Sequence, residues 1–215
     1  MKQNSSGLIG KEEDIKALES KKGARILVYS DSHGNAGIVE QILLNYGKDC
    51  DALVFCGDGT CDLAQILSKA EYDKKLSQAI PKVICFVQGN GDPGSYPVTD
   101  NYSLKNHRMQ NFVVNHKNFL VVHGHYQGVD WGLENLGMDA QLTDSSVAFY
   151  GHTHVAREES IGNYKFINPG SCARPRGGQP KSFAIVTVED KFVDTAFIKI
   201  DFSGLETTYS FWTPL

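Results

Sequence analysis

Five short apolar segments of this chain run directly into clusters of glycine with aspartate, asparagine or histidine. Short apolar runs bounded by such residues are typical of buried β-strands. In the first half of the chain they alternate with helical patterns, which predicts parallel strands joined by right-handed crossovers. Because the carboxyl ends of strands in an open α/β sheet face the ligand crevice, the side chains that follow them should share one volume. The clusters occupy residues 30–35, 57–59, 89–92, 123–125 and 151–154.

The apolar periodicity predicts an α/β fold that becomes mostly β in its second half. Helical patterns lie at 11–22, 38–44, 62–79 and 129–140. Strand patterns lie at 25–29, 52–56, 82–87, 112–115, 118–122, 147–150, 164–167, 182–188, 192–200 and 207–212. These elements indicate two sheets packed face to face with helices outside. We expect one domain over 25–215, preceded by an extension over 1–24 whose polar residues 1–10 are mobile.

Composition narrows the class of protein. The formal net charge of −4 over 215 residues argues against binding nucleic acid through a broad basic surface. No run approaches the roughly 20 apolar residues that span a bilayer, and the N-terminus lacks the apolar core of a secretory signal. The five cysteines are an odd number without paired metal-finger spacing. We therefore expect a cytoplasmic protein with reduced thiols that binds neither membranes nor, stably, nucleic acid.

The polar clusters favour a metal site over a set of unrelated turns. Taken singly, Asp31 is a candidate helix N-cap, Asp58 a turn residue and each histidine a hydrogen-bonded core residue. Jointly, five of the seven histidines fall in three clusters directly after apolar strands. Aspartate, histidine and asparagine without cysteine suit Mn, Fe, Zn, Mg or Ni. The ligands suffice for two ions, a pair of which clamps the attacking and leaving oxygens of a phosphoryl displacement.

Asn90 is interpreted in the same way. Asn-Gly after the apolar run 83–87 is the usual signal for a tight hairpin turn. The residues that follow include Pro93 and Pro97, which cannot donate to a strand ladder, so no returning strand is expected there. We interpret Asn90 as a ligand placed at a strand end for its side-chain oxygen, with Gly91 forming the turn that presents it.

The ordered motifs DSH, GDG, GNGD, HGH and GHTH resemble those of the calcineurin-like metallophosphoesterase superfamily, in particular its small bacterial and archaeal phosphodiesterases. The resemblance covers residues 25–188 and extends to the stretches 167–171 and 174–178. It implies a four-layered α/β/β/α sandwich of two mixed sheets and a hydroxide between two divalent ions that attacks phosphorus. It also implies a role for each motif residue: Asp31, His33 and His154 at one metal, Asn90, His123 and His152 at the other, and Asp58 bridging the two.

The chain departs from the superfamily pattern directly after the asparagine. Many members have a histidine there that helps the leaving group depart, whereas this chain has Gly91. General acid catalysis typically contributes about 10²–10⁴-fold, so slow turnover of poor leaving groups is expected. We expect Asp92 to orient Asn90 or its neighbours. We expect His125 to support a ligand, a substitute acid or a satisfied polar residue being the alternatives.

Two arginines are candidate substrate contacts. The guanidinium groups of Arg174 and Arg176 match phosphate in a bidentate fork. The alternative is a solvated loop with salt bridges, since the pair lies in the Pro- and Gly-containing stretch 174–178.

The sequence therefore predicts a dimetal phosphodiesterase for a small or nucleotide-like phosphodiester. We expect Mn²⁺, with Fe, Ni, Zn and Mg as alternatives. One rival is a non-catalytic scaffold or interaction module of the same fold, such as the superfamily's retromer subunit, which also lacks that histidine. The intact ligand set argues against it. A second rival is a phosphomonoesterase. Association into a homo-oligomer is left open.

Overall fold

The computed structural model describes residues 2–203 and 206–214. Its helices are α1 (Glu12–Glu19), α2 (Ala36–Tyr46), α3 (Thr60–Lys69), α4 (Lys74–Ala79) and α5 (Glu134–Leu142), with a 3₁₀ turn at Gly47–Asp49. Its strands are β1 (Ala24–Tyr29), β2 (Ala52–Phe55), β3 (Val83–Phe86), β4 (Ser95–Thr99), β5 (Tyr102–Lys105), β6 (Met109–Val114), β7 (Lys117–Val122), β8 (Val147–Phe149), β9 (Arg157–Ile161), β10 (Tyr164–Asn168), β11 (Lys181–Val188), β12 (Val193–Ser203) and β13 (Glu206–Trp212).

The strands form two large mixed sheets and one small ribbon. The first sheet has the order β13-β12-β11-β1-β2-β3, in which β1, β2 and β3 are parallel and β11 is antiparallel to β1. The second has the order β6-β7-β8-β10-β9, in which β7, β8 and β10 are parallel. β4 and β5 pair with each other. The prediction of two mixed sheets is confirmed.

The alternation of side chains along each strand builds three apolar layers. In β1, Leu27 and Tyr29 face the layer shared with α2, α3 and α4, while Ile26 and Val28 face the layer between the two sheets. A third layer lies between the second sheet and α5, where Leu136 packs with neighbours from β7 and β8. Full burial of each such side chain stabilises the fold by about 1.5–3 kcal/mol. The result is the expected four-layered α/β/β/α sandwich.

The first residues of the chain are part of the fold, which corrects the expectation that they are mobile. Ile9 forms a β-bridge with Ile84 of β3, the outer strand of the first sheet, and its side chain is fully buried. The backbone hydrogen bonds between the two residues are 2.9 and 2.8 Å long. Farther along, Leu18 of α1 is buried in the layer between the sheets. The polar composition of 1–10 hides this contact because Leu8 and Ile9 are its only large aliphatic side chains.

Other differences from the predicted elements occur at strand edges and helix ends. The helix predicted at 62–79 is two helices, and Asp73 caps the second by accepting a hydrogen bond from the Leu76 amide. The helix predicted at 129–140 begins only at Glu134. β4 contains Pro97, which is tolerated because β4 pairs only with β5. The polar edge strand β9 lacks the apolar run that marks a strand.

No helix within the described ranges is long and apolar enough to cross a membrane.

Candidate metal centre

The candidate ligands follow the carboxyl ends of parallel strands from both sheets. Asp31 follows β1, Asp58 follows β2 and Asn90 follows β3 in the first sheet, whereas His123 follows β7 and His152 follows β8 in the second. Non-glycine residues rarely adopt left-handed backbone conformations, and such conformations cluster at functional sites. Five of the seven candidate ligands have them, with φ between 45° and 68°: Asp31, His33, Asp58, His152 and His154.

One half of the site contains Asp31, His33 and His154. The Nε2 atom of His154 lies 3.2 Å from Asp31 Oδ1 and 3.0 Å from His33 Nε2. His33 Nε2 lies 3.7 Å from the same carboxylate oxygen. Three ligand-type atoms therefore border one small volume.

The other half contains Asn90, His123 and His152, with Asp58 between the halves. Asn90 Oδ1 lies 3.1 Å from His123 Nε2 and 3.0 Å from His152 Nδ1. Asp58 Oδ2 lies 3.8 Å from His33 Nε2 on one side and 3.7 Å from His123 Nε2 on the other. The structure thus brings together all seven residues that the sequence singles out as ligands.

The orientation of the rings and carboxylates fits divalent ions. The Nδ1 atoms of His123 and His154 hydrogen-bond to the backbone carbonyls of Cys56 and Arg174, which directs Nε2 of both rings into the site. Asp31 Oδ1 is buried, and the hydrogen bond open to it among the described residues, from His154 Nε2 at 3.2 Å, is poorly aligned. Acceptor atoms that face one another in this way are what a cation satisfies. The mixed oxygen and nitrogen donors suit Mn, Fe, Zn, Ni or Mg.

Electrostatics favours an ionised carboxylate at Asp31. Burial raises the pKa of the Asp31 carboxyl, but hydrogen bonding from His154 and the nearby His123 and His154 rings outweigh burial, so the net pKa is lowered. Burial lowers the pKa of His154, but its hydrogen bond and charge interaction with Asp31 outweigh that effect and raise the net pKa. The pKa of His33 is lowered, chiefly by burial. A divalent ion at this position would compete with the proton on His154, because an imidazole must be deprotonated to act as a ligand.

Asp92 holds the loops that carry Asp58 and Asn90. Its carboxylate accepts hydrogen bonds from the backbone amides of Asp58, Gly59, Thr60 and Gly89, at distances between 2.8 and 2.9 Å. Hydrogen bonds to a charged acceptor are stronger than neutral ones. Asp92 therefore ties the ends of β2 and β3 together behind the ligands.

Two glycines allow the close approach that this arrangement needs. A Cβ atom on Gly57, whose φ is +95°, would lie 2.7 Å from the Gly89 amide nitrogen and 2.8 Å from His123 Nδ1. A Cβ atom on Gly89 would lie 2.0 Å from Asp58 Oδ1. A larger residue at either position would displace a ligand.

The remaining sequence-predicted residues border the site. The centre of the His125 ring lies 4.0 Å from that of Tyr126, with the two rings tilted by 42°, and 5.3 Å from that of His123. The Nδ1 atom of His125 is buried and has no hydrogen-bond partner among residues 2–203 and 206–214. Burial, followed by the charges of His123 and His152, lowers the pKa of His125. Arg174 is exposed, with Nη2 3.5 Å from the His33 carbonyl. The backbone amide of Arg176 donates to the His154 carbonyl, and the positive charge of Arg176 partly offsets the rise in the pKa of His154.

Sequence reasoning missed two acidic residues that contact the site. Asp130 Oδ2 lies 2.8 Å from Nε2 of His152. The buried Asp62 carboxylate accepts hydrogen bonds from Ser32 Oγ and from the Gly34 amide, at 2.6 and 2.9 Å, and so holds the loop after β1. Asp62 could have been found as an acidic residue in the first turn of a predicted helix. Asp130 gave no signal, because the sequence placed it inside a predicted helix.

The family model for the calcineurin-like phosphoesterase superfamily domain matches residues 25–191. The chain belongs to this superfamily. It is 28% identical over 173 residues to the probable metallophosphoesterase YsnB of Bacillus subtilis. The aligned residues make up 80% of this chain and 89% of YsnB. The chain is also 28% identical over 174 residues to the phosphodiesterase YfcE of Escherichia coli K12. The aligned residues make up 75% of this chain and 86% of YfcE. These relatives support a hydrolase of phosphoric esters.

Solved structures of other proteins share the fold. A Streptococcus pneumoniae TIGR4 protein described as a predicted phosphoesterase matches with a TM-score of 0.63 at 24% identity, over 90% of this chain and 100% of that one. Zinc-bound Vps29 from Entamoeba histolytica matches with a TM-score of 0.59 at 18% identity, over 87% and 98%. At these identities the likeness concerns the fold alone.

Proposed function

We propose that this superfamily member is a metal-dependent phosphodiesterase that hydrolyses small or nucleotide-like phosphodiesters. The observation that carries the proposal is the position of Asp58, whose Oδ2 lies 3.8 and 3.7 Å from histidine nitrogens in the two halves of the site. A carboxylate in that position suits a bridge between two ions. We propose Mn²⁺ for both.

The chain's own residues would hold two ions and leave an open side. Asp31, His33 and His154 would bind one ion, Asn90, His123 and His152 the other, and Asp58 would bridge them. Two such ions, when bound, lower the pKa of water and neutralise charge on the phosphoryl oxygens. In the reaction a water oxygen forms a bond to phosphorus as the bond from phosphorus to the leaving oxygen breaks, and the water loses its proton to solvent.

Two features shape the substrate preference. Arg174, beside the His33 carbonyl, is placed to orient a non-bridging phosphoryl oxygen. Gly91 offers no side chain to protonate the departing oxygen, so the proton comes from solvent. The site therefore suits leaving groups that depart readily without protonation, such as aryloxides, and is slow on alkoxides. A phosphomonoesterase is disfavoured for the same reason.

A non-catalytic scaffold of the same fold is the second candidate. The fold likeness to Vps29 and the absence of a side chain at Gly91 favour it. The seven-residue ligand arrangement disfavours it, because a binding module has no need of left-handed backbone at five candidate ligands.

The deciding experiment compares hydrolysis of bis-p-nitrophenyl phosphate and p-nitrophenyl phosphate with added Mn²⁺ and with chelator. We expect Mn²⁺-dependent cleavage of the diester, weak cleavage of the monoester, and loss of both in Asp58→Asn. The matched control is Asp100→Asn, which makes the same change in the exposed turn between β4 and β5 and should retain full activity. No cleavage with any of Mn²⁺, Fe²⁺, Ni²⁺, Zn²⁺ or Mg²⁺ would favour the scaffold.

A further inference from the structure

Asp130 lies outside the five motif clusters, in the loop between β7 and α5, yet it contacts a candidate ligand. Its Oδ2 atom lies 2.8 Å from Nε2 of His152. We propose that Asp130 is a positioning residue that selects the tautomer of His152 and thereby prepares one of the two metal sites. The inference rests on the metal centre of the proposed function but not on its catalytic activity.

His152 faces the site with the opposite ring nitrogen from its neighbours. His123 and His154 direct Nε2 inward, because their Nδ1 atoms hydrogen-bond to backbone carbonyls. His152 instead places Nδ1 3.0 Å from Asn90 Oδ1. Within the part of the chain that the structure describes, its Nε2 pairs with Asp130 and with no backbone carbonyl. The orientation of the His152 ring therefore depends on a side chain, whereas the orientations of the His123 and His154 rings depend on the main chain.

Two tautomers of His152 compete, and only one leaves Nδ1, the atom that faces Asn90, free to bind a metal ion. A neutral imidazole carries one proton, and an ionised carboxylate can only accept hydrogen bonds. With the proton on Nδ1, the ring would donate to Asn90 Oδ1 and both groups would be blocked as ligands. With the proton on Nε2, the ring donates to Asp130, and the Nδ1 lone pair and Asn90 Oδ1 are both free for an ion. Asp130 favours the second arrangement.

The loop that carries Asp130 is anchored independently of Asp130. Val129 and Leu133 are buried in the layer beneath α5. Gly124 has a φ of +113° and packs so closely that a Cβ there would lie 2.7 Å from Val129. A hydrogen bond of 2.9 Å joins Gln127 to Asp139 of α5. The Asp130 side chain itself is 45% exposed, so its replacement removes the contact to His152 without opening a cavity.

The first test reads the tautomer directly in metal-free protein. Nitrogen-15 NMR of the histidine rings distinguishes Nδ1–H from Nε2–H, and the His152→Gln spectrum assigns the His152 signals. We expect the Nε2–H tautomer in the wild type and a shift toward Nδ1–H in Asp130→Ala, with Asp130→Asn between them. An unchanged tautomer in Asp130→Ala would overturn the proposal.

The second test reads metal binding by titration calorimetry with Mn²⁺. Loss of a partner that orients a ligating histidine typically weakens metal affinity by about 10–100-fold. We expect that loss at one of the two sites in Asp130→Ala, while the other site and the Asp100→Asn control stay unchanged. Equal weakening of both sites, or of neither, would contradict a positioning role at His152.

Failure of this inference and failure of the proposed function give different results. A protein that binds two Mn²⁺ ions with the expected Asp130 dependence but hydrolyses no phosphodiester would overturn the function alone. A protein that hydrolyses the diester with no dependence of affinity or tautomer on Asp130 would overturn the inference alone. A wild type that binds fewer than two ions would overturn both.

Discussion

Gly91 lies where a side chain would face the metal centre. Its amide donates a 2.7 Å hydrogen bond to Asp58 Oδ1, and a Cβ there would lie 3.3 Å from the same oxygen. The residue is exposed, and its φ lies outside the left-handed region, so a larger residue needs only a small shift of the carboxylate.

We therefore predict that Gly91→His raises kcat for diesters with alkyl leaving groups, because an imidazole there can protonate the leaving oxygen. The expected gain in kcat is about 10²-fold, which is the low end of the range for general acid catalysis. The gain should be smaller for diesters that release p-nitrophenolate, because that leaving group departs without protonation. Steady-state kinetics on a series of leaving groups measures it. Gly91→Ala controls for the displaced Asp58 carboxylate; an equal change in both variants would contradict the prediction.

The thiol groups differ in accessibility. Cys50, Cys56, Cys85 and Cys172 are buried free cysteines, and burial raises the pKa of Cys50 to about 11 and that of the other three by more. Cys61 is only partly buried, and burial raises its pKa less. The thiolate is the reactive form.

We predict that a disulfide reagent labels only Cys61 in the native protein. Since the pKa of Cys61 is raised, the thiol is protonated at neutral pH, so the labelling rate should rise as pH increases and still be rising above the ordinary thiol pKa. Absorbance kinetics with Ellman's reagent measure the rate, and Cys61→Ser should abolish it. Labelling of more than one thiol before unfolding would contradict the assignment.

Individual ligands could be predicted from the sequence because each directly follows an apolar run at a strand end. Asp31, Asp58 and Asn90 need no knowledge of side-chain packing, since parallel strands already align their carboxyl ends. The contact of Asp130 with His152 could not be predicted from the sequence. The position of Asp130 depends on where α5 begins and on how the loop before α5 folds. That loop is held by tertiary contacts such as the packing of Gly124 against Val129, which leave no periodic pattern.

At the scale of the elements, the strands that line the interior were predictable and the edges were not. β2 and β3 are apolar throughout, β1 is apolar after Arg25, and all three stand out from their surroundings. β9 is mostly polar because it is an edge strand with exposed side chains. The bridge between Ile9 and Ile84 depends on one buried residue in a polar segment. It partly covers the free edge of β3, where unpaired backbone groups would otherwise face solvent.

We predict that Ile9→Ala lowers the free energy of unfolding by about 2–5 kcal/mol, as large-to-small changes in a core do. The matched control is Ile161→Ala in β9, where the side chain is 52% exposed and the expected loss is under about 1 kcal/mol. Urea unfolding followed by circular dichroism measures both. Similar losses in the two variants would show that residues 1–10 do not contribute to the core.

At the scale of the whole molecule, the pairing of two sheets creates the site. Each sheet contributes only part of the ligand set, so neither can hold both ions alone. The sheets are held face to face by the layer that Ile26, Val28, Phe119 and Phe149 build. Metal binding to the folded state alone should stabilise the protein, by about 2.7 kcal/mol at an ion concentration of 100 Kd.

The measurement that tests the account most directly is anomalous X-ray diffraction from crystals soaked in Mn²⁺. We predict two anomalous peaks about 3.5–4 Å apart, with the Asp58 carboxylate between them, Asp31, His33 and His154 around one and Asn90, His123 and His152 around the other. A single peak, or two peaks that do not share Asp58, would contradict a two-ion centre at the junction of the sheets.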